Sequence, residues 1–290
     1  DSPDARGYAA WRDAQSDADP DRQAGADEAA LQLYTSGTTG RPKGAVLTHR
    51  SLFGLREQMS PSQMPAWYRW SHEDVSLIAM PAAHISGTGW GMWSLMHGAT
   101  GIVAAEFDPH KVFDLMVEHR INKIMMVPTA IQIAIHHPRA RHTDFSFLRF
   151  IAYGGAPMPA ALLAEAMQVF QCGFVQMYGM TETSGTIVAL PPEQHDPAGS
   201  RLGSVGVPLP GVELKIRDAQ GEECPCGETG EILTRSIANM SGYFGRPEES
   251  ERVFGAEKVE IKIDLPKGEH RYLCGPHWED DGMVGVLVVE

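Results

Sequence analysis

Between residues 75 and 177 short apolar runs alternate with stretches of helical period, and nothing else in this 290-residue chain limits its fold so strongly. The runs are Val75-Ser76-Leu77-Ile78-Ala79-Met80, Ile102-Val103-Ala104-Ala105, Lys123-Ile124-Met125-Met126-Val127, residues 148–153, and Phe174-Val175-Gln176-Met177. Each has the length of a strand buried on both faces. Between them Asp108-Pro109 starts a helix, because the carboxylate can accept from the first free amides and proline suits the first turn. Val112, Phe113, Leu115, Met116 and His119 then share one face of it. Pro157 and Pro159 open a second helix with a stripe of Leu162, Ala166, Val169 and Phe170. Such alternation predicts an α/β fold, a mostly parallel sheet with helices on both faces, and ligands gathered at the carboxyl ends of its strands.

Ahead of this region, the run Leu31-Gln32-Leu33-Tyr34 reads as a short strand and leads into Thr35-Ser36-Gly37-Thr38-Thr39-Gly40-Arg41-Pro42-Lys43-Gly44. Three glycines allow backbone conformations closed to other residues and let N–H groups approach an anion. Four hydroxyls and Lys43 add donors and a positive charge, a set suited to a triphosphate. The commonest phosphate loop ends in Gly-Lys followed by Ser or Thr, and the dipeptide Gly-Lys occurs nowhere here. A flexible linker is the bland alternative, but it has no need of the Pro-Lys-Gly exit or of Ala45-Val46-Leu47 running into a helix cap at Thr48.

The formal net charge of -13 argues against a nucleic-acid partner, which needs clustered Lys and Arg. Cys172, Cys224, Cys226 and Cys274 contain no C-x-x-C pair, a pattern expected of reduced thiols in a cytoplasmic protein. No apolar run approaches the ~18 residues of a membrane span, and no signal peptide is visible. Residues 1–28 hold eight acidic and three basic side chains and read as a solvated surface.

The run from Tyr34 to Gly44 resembles the signature loop of the AMP-forming adenylate synthetases, the superfamily of acyl-CoA synthetases, nonribosomal-peptide adenylation domains and beetle luciferases. A second run, Gln176-Met177-Tyr178-Gly179-Met180-Thr181-Glu182-Thr183, resembles the same family's other diagnostic motif. From the residues alone, Tyr178 can stack on a purine, Thr181 can bond a phosphate oxygen and Glu182 can hold Mg²⁺ against a phosphate, although Thr-Glu-Thr is also an ordinary capping sequence. Tyr153-Gly154-Gly155-Ala156-Pro157 ends a strand; its glycines let a flat ring lie on the backbone, or simply make a tight αβ connection. The resemblance implies that Gly154, Gly155, Ala156 and Pro157 hold adenine. It further implies that Thr35, Ser36, Gly37, Thr38, Thr39, Gly40, Lys43, Tyr178, Gly179 and Thr181 contact the nucleotide, and that Lys43, Thr181, Glu182 and His84 serve catalysis. His84, in Met80-Pro81-Ala82-Ala83-His84-Ile85-Ser86-Gly87, could equally be a core histidine; the family carries an aromatic residue or histidine there, bordering the acyl pocket.

The implied activity is an acid–thiol ligase using ATP, Mg²⁺ and coenzyme A as co-substrate, with a small carboxylic acid as partner. The small Ala82, Ala83, Gly87, Gly89 and Gly91 point to a medium or long fatty acid by leaving room for its chain. Four regions are expected: an acidic segment 1–27, the AMP-binding α/β region 28–200, a small antiparallel β subdomain 201–254 in which 212–217 alternates at period two, and an atypical tail 255–290. Members of the family normally carry a longer segment before the loop, and after residue 254 a ribose-gripping aspartate and a domain with a catalytic lysine. The chain thus reads as a fragment with weak or no turnover. Its tail instead resembles the last hairpin of a cupredoxin, with Cys274, His277 and Met283 as copper candidates. A copper carrier or a non-catalytic nucleotide-binding remnant are therefore the alternatives. The tail itself is expected to derive from a joined or misread coding sequence.

Overall fold

The structure is a computed structural model and describes residues 7–35, 41–60, 62, 64–105, 107–199, 201–254, 260–263, 268–273 and 284–289, the last three groups as backbone only. After a short helix α1 (Tyr8–Asp13) come strands β1 (Ala29–Thr35) and β2 (Lys43–Thr48) and helix α2 (His49–Gln58). Then β3 (Val75–Ile78), α3 (Ile85–Met96), β4 (Thr100–Val103), α4 (Pro109–Glu118), β5 (Lys123–Met126), α5 (Pro128–Ile135), β6 (Phe150–Gly154), α6 (Ala160–Phe170) and β7 (Gly173–Met180) alternate. The chain continues through β8 (Gly185–Leu190), β9 (Val207–Pro208), β10 (Val212–Arg217), β11 (Glu231–Ser236), β12 (Gly242–Tyr243), α7 (Pro247–Val253), β13 (Glu260–Ile263), β14 (Gly268–Leu273) and β15 (Val284–Val289).

The alternation builds a seven-stranded sheet in the order β4-β3-β5-β6-β7-β8-β9. The first five strands run parallel, β8 pairs antiparallel with β7, and β9 pairs antiparallel with β8. The fold is therefore the mostly parallel α/β sheet that the sequence predicts. Leu77, Ile124, Met126, Ile151 and Phe174 are buried in its strands, and Val112, Phe113, Met116, Ile131, Leu163 and Phe170 cover them from the helices. Strand order reverses between β3 and β5, so the connections leaving those two strands diverge and open a crevice at their carboxyl ends.

Several local expectations shift. Strand β4 starts at Thr100, and β7 runs three residues beyond Met177 because β8 pairs with it as far as Met180. In α6 the expected Ala166 and Phe170 are buried together with Leu163, whereas Leu162 and Val169 are only half-buried. His119 is exposed as the C-cap of α4. Helices α3 and α5 escape the periodicity reading.

Helix α3 also corrects the reading of its glycines as space for an acyl chain. A Cβ on Gly87 would lie 2.3 Å from the Pro81 carbonyl oxygen and 2.4 Å from that of Met80, and one on Gly91 would lie 3.4 Å from Ile78 Cδ1. At Gly87 the missing side chain admits the chain's own carbonyls rather than a ligand, and at Gly91 a Cβ would be in ordinary contact with Ile78.

Two smaller sheets complete the fold. Strands β1, β2 and β12 form one, and β10, β11 and β13 form the other. In the second, β10 and β11 pair antiparallel in full register from Val212↔Ser236 to Arg217↔Glu231. β14 and β15 make a separate antiparallel hairpin. Its connection, with the copper candidates Cys274, His277 and Met283, lies outside the described residues. Among the described residues no helix is long and apolar enough to cross a membrane.

Candidate functional site

Two paired strands bracket the hydroxyl-rich run in the sequence. β1 and β2 run antiparallel, and Thr35 and Lys43 are the last cross-strand partners before the loop opens. Ser36, Gly37, Thr38, Thr39 and Gly40 lie outside the described residues, and what is described is the pair of anchors on either side of them. The anchors are firm. Thr48 caps α2, its hydroxyl accepting from Ser51 N–H at 3.1 Å while Ser51 Oγ accepts from Thr48 N–H at 2.9 Å. Leu47 and Ala45 are fully buried in a cluster with Leu52, Met240 and Tyr243.

The end of β7 meets those anchors. A 3₁₀ turn, Thr181–Thr183, follows the strand and buries Glu182, whose Oε1 accepts from Thr35 Oγ1 at 3.2 Å and from the Tyr243 phenol at 2.7 Å. The backbone closes the same junction: Met240 N–H donates to the Glu182 carbonyl at 2.8 Å, and Phe244 N–H to that of Gly44 at 2.8 Å. The half-buried Lys43 extends over the Tyr243 ring, its Nζ 5.1 Å from the centroid. Loop start, loop lysine and motif carboxylate thus share one small region although they lie about 140 positions apart in the chain, 147 between Thr35 and Glu182.

The remaining expected residues lie at the end of β6, along the end of β7 and in the segment before α3. Gly154 pairs with Met177 across β6 and β7, and a Cβ on it would lie 2.0 Å from the Met177 carbonyl oxygen, so glycine is needed for the strands to approach. Gly155 follows with φ +76°, and Gly155, Ala156 and Pro157 are exposed, leaving the turn open. Tyr178 is half-buried in β7, and burial raises its phenol pKa. Gly179 is needed where β7 bends, since a Cβ there would meet the Gly185 carbonyl oxygen at 1.9 Å. Thr181 is half-buried at the head of the 3₁₀ turn. His84 is exposed and stands before α3 without capping it through its side chain, so the core-histidine reading fails. The next residue, Ile85, packs with Met180 against the Tyr243 cluster, which puts His84 at the margin of the same junction.

Tyr243 is the residue that sequence reasoning missed. No role falls to it from the sequence, and the pairing of β12 with β2 brings the phenol to Glu182.

A mostly parallel α/β sheet with a threonine, a lysine and a buried carboxylate brought together beyond the end of β7 suits a nucleotide-handling class of enzyme. Residues 2–244 match the AMP-binding enzyme family, and the chain belongs to it. It is 38% identical over 244 residues to a fatty acid–acyl-carrier-protein ligase of Streptomyces coeruleorubidus, a match covering 84% of this chain and 47% of that protein. The chain thus spans about half the length of this relative. Among solved structures it resembles the inhibitor-bound N-terminal domain of FACL13 from Mycobacterium tuberculosis, with TM-score 0.77 and 26% identity over 96% of this chain and 64% of that one. It also resembles the o-succinylbenzoate coenzyme A synthetase of Bacillus subtilis in complex with ATP and magnesium ion, with TM-score 0.71 and 29% identity over 92% of this chain and 50% of that one.

Proposed function

We propose that the protein activates a carboxylic acid as its acyl-adenylate, using ATP, and that the acyl group then passes to the thiol of coenzyme A. The observation that carries this reading is the meeting of Thr35 and Glu182 at the Tyr243 ring over which Lys43 lies, with the Gly154–Gly155 turn ending the strand next to the one that leads to Glu182. In the first step a carboxylate oxygen bonds to the α-phosphorus of ATP as the bond to pyrophosphate breaks. Negative charge then builds on phosphate oxygens, which the Lys43 ammonium and the loop donors offset. Thr181 donates to a phosphate oxygen, the turn Gly154-Gly155-Ala156-Pro157 reads the adenine edge, and Tyr178 lies against the ring.

Glu182 fits a magnesium site, being a buried carboxylate in a neighbourhood of hydroxyls, and Mg²⁺ takes one or two protein oxygens while keeping waters. When bound there, the ion would neutralise phosphate charge. His84, at the mouth of the crevice beside β3, borders the acyl group. A medium or long fatty acid is the acid favoured, and the fatty-acid-activating relative from Streptomyces supports that choice. The room for its chain would come from the exposed Ala82 and Ala83 rather than from the helix glycines. The reading places the protein in the cytoplasm, with ATP and reduced thiols.

The test is ATP–pyrophosphate exchange over a panel of acids from acetate to palmitate. Exchange should depend on the acid and rise with chain length. Lys43→Ala and Glu182→Gln should each lower it about 10²-fold or more, the scale of losing one stabilising group at a developing charge. Binding of ATP without exchange on any acid would instead favour the non-catalytic remnant, and the absence of both would remove the reading.

A further inference from the structure

Behind the open turn lies a buried polar pair for which adenylation chemistry has no use. Tyr153, the last side chain of β6 before the glycines, is 1% exposed, and its hydroxyl lies 3.0 Å from His195 Nε2. His195 is 5% exposed, and its Nδ1 lies 2.9 Å from the Pro191 carbonyl oxygen. A carbonyl can only accept, so Nδ1 carries the proton, Nε2 is the acceptor and the phenol donates. The direction of the chain is thereby fixed. Burial pushes the His195 pKa down to about 4 and the Tyr153 pKa up, so both groups stay neutral at ordinary pH.

The connectivity gives this pair a task. Tyr153 sits on β6, and Pro191 immediately follows the end of β8, so the hydrogen bonds tie together the two strands that flank β7. β7 carries Tyr178 and leads to Thr181 and Glu182, whereas β6 ends in the Gly154–Gly155 turn. Gly155 has no side chain with which to fix its own position, and the residues that follow it, Ala156 and Pro157, are exposed. An apolar pair could fill the same volume, but it would not select one orientation of β6 against the 191–195 segment.

We propose that Tyr153 and His195 are positioning residues for the nucleobase: their hydrogen bonds through Pro191 hold the Gly154–Gly155 turn at the height where it can read an adenine edge. This rests on the adenylation reading above. It assigns a task to two residues that touch neither substrate nor phosphate.

The measurement is the dissociation constant of the full chain for ATP and for inorganic tripolyphosphate, which has the phosphates without the base, by titration calorimetry. Tyr153→Phe keeps the ring and removes one donor. It should weaken ATP about three- to tenfold, the scale of one hydrogen bond, and leave tripolyphosphate within about twofold. His195→Asn keeps a donor for Pro191 and removes the acceptor for Tyr153, and it should reproduce the ATP effect if Tyr153→Phe proves too unstable to titrate. Unchanged ATP affinity in the folded variants, or an equal loss for both ligands, would overturn the inference while leaving the adenylation reading intact. A wild-type chain that binds no ATP would instead remove the reading, and this inference with it.

Discussion

Glu182 is held by donors from two other parts of the chain, and the two bonds differ in strength. The Tyr243 phenol approaches to 2.7 Å, and the Thr35 hydroxyl stays at 3.2 Å. Hydrogen bonds to an ionised acceptor are worth about 1.5–3 kcal/mol. Tyr243→Phe should therefore lower stability by about 2 kcal/mol, and Thr35→Val by about 1 kcal/mol or less given its longer bond. Urea midpoints would check both, and an unmoved midpoint for Tyr243→Phe would show that the carboxylate does not depend on it. His195 yields a pH prediction. Its folded pKa of about 4 lies below the ordinary 6.5, so between those values the unfolded chain binds the extra proton. Stability is thus fully present above about pH 6.5 and falls as pH drops toward 4, by about 2 kcal/mol between pH 7 and 5. Replacing His195 with Asn should flatten that slope in denaturant melts, and an unchanged slope would refute the assignment. Residues in contiguous motifs, such as Lys43 and Glu182, were legible from the sequence because their neighbours carry the signal. Tyr243 and His195 were not, because each gains its meaning from a partner tens of positions away.

Among the elements, α4 and α2 were readable from their caps, Asp108-Pro109 and Thr48, since a cap is a local chemical statement. Helix α3 was hidden by its own composition. Gly87, Gly89 and Gly91 read as ligand space, yet they lie within a helix whose first turn packs against the Met80 and Pro81 carbonyls. This separates the glycines. Alanine at Gly89 would place its Cβ no nearer than 3.7 Å to Ile85 Cδ1, an ordinary contact, and should stabilise by up to about 1 kcal/mol through helix propensity. Alanine at Gly87 gains the same propensity but collides with two backbone oxygens that cannot swing aside. It should cost about 1–3 kcal/mol net. Thermal melts of the two variants should move in opposite directions. If both rose, the close approach of α3 to the 80–81 backbone would be wrong.

Across the whole molecule the two ends of the sheet carry different charge chemistry. The carboxyl ends gather the candidate site, whereas the amino ends hold a buried ionic cluster. Asp74 precedes β3, Lys123 opens β5 and Arg149 precedes β6. Lys123 Nζ lies 2.9 Å from Asp74 Oδ2 with both side chains almost fully buried, and Arg149 Nη1 lies 3.2 Å from Asp74 Oδ1. Burial pulls the Lys123 pKa down, against the pull of its Asp74 partner. The cluster is asymmetric, because one carboxylate serves two cations. Removing Lys123 as Lys123→Met leaves Asp74 still paired with the half-exposed Arg149, so the cost should stay near 1–2 kcal/mol, the lower part of the usual range for single substitutions. Removing the carboxylate as Asp74→Ala leaves a buried ammonium whose remaining polar neighbour is the Arg69 carbonyl, and breaking a buried pair this way costs about 3–5 kcal/mol. Neither change touches the carboxyl ends of the strands, so ATP affinity measured well below the melting temperature should match that of the unaltered chain. Equal destabilisation by the two variants would mean that Arg149 does not hold Asp74. A fall in ATP affinity without a fall in stability would mean that the two ends of the sheet are coupled through the strands.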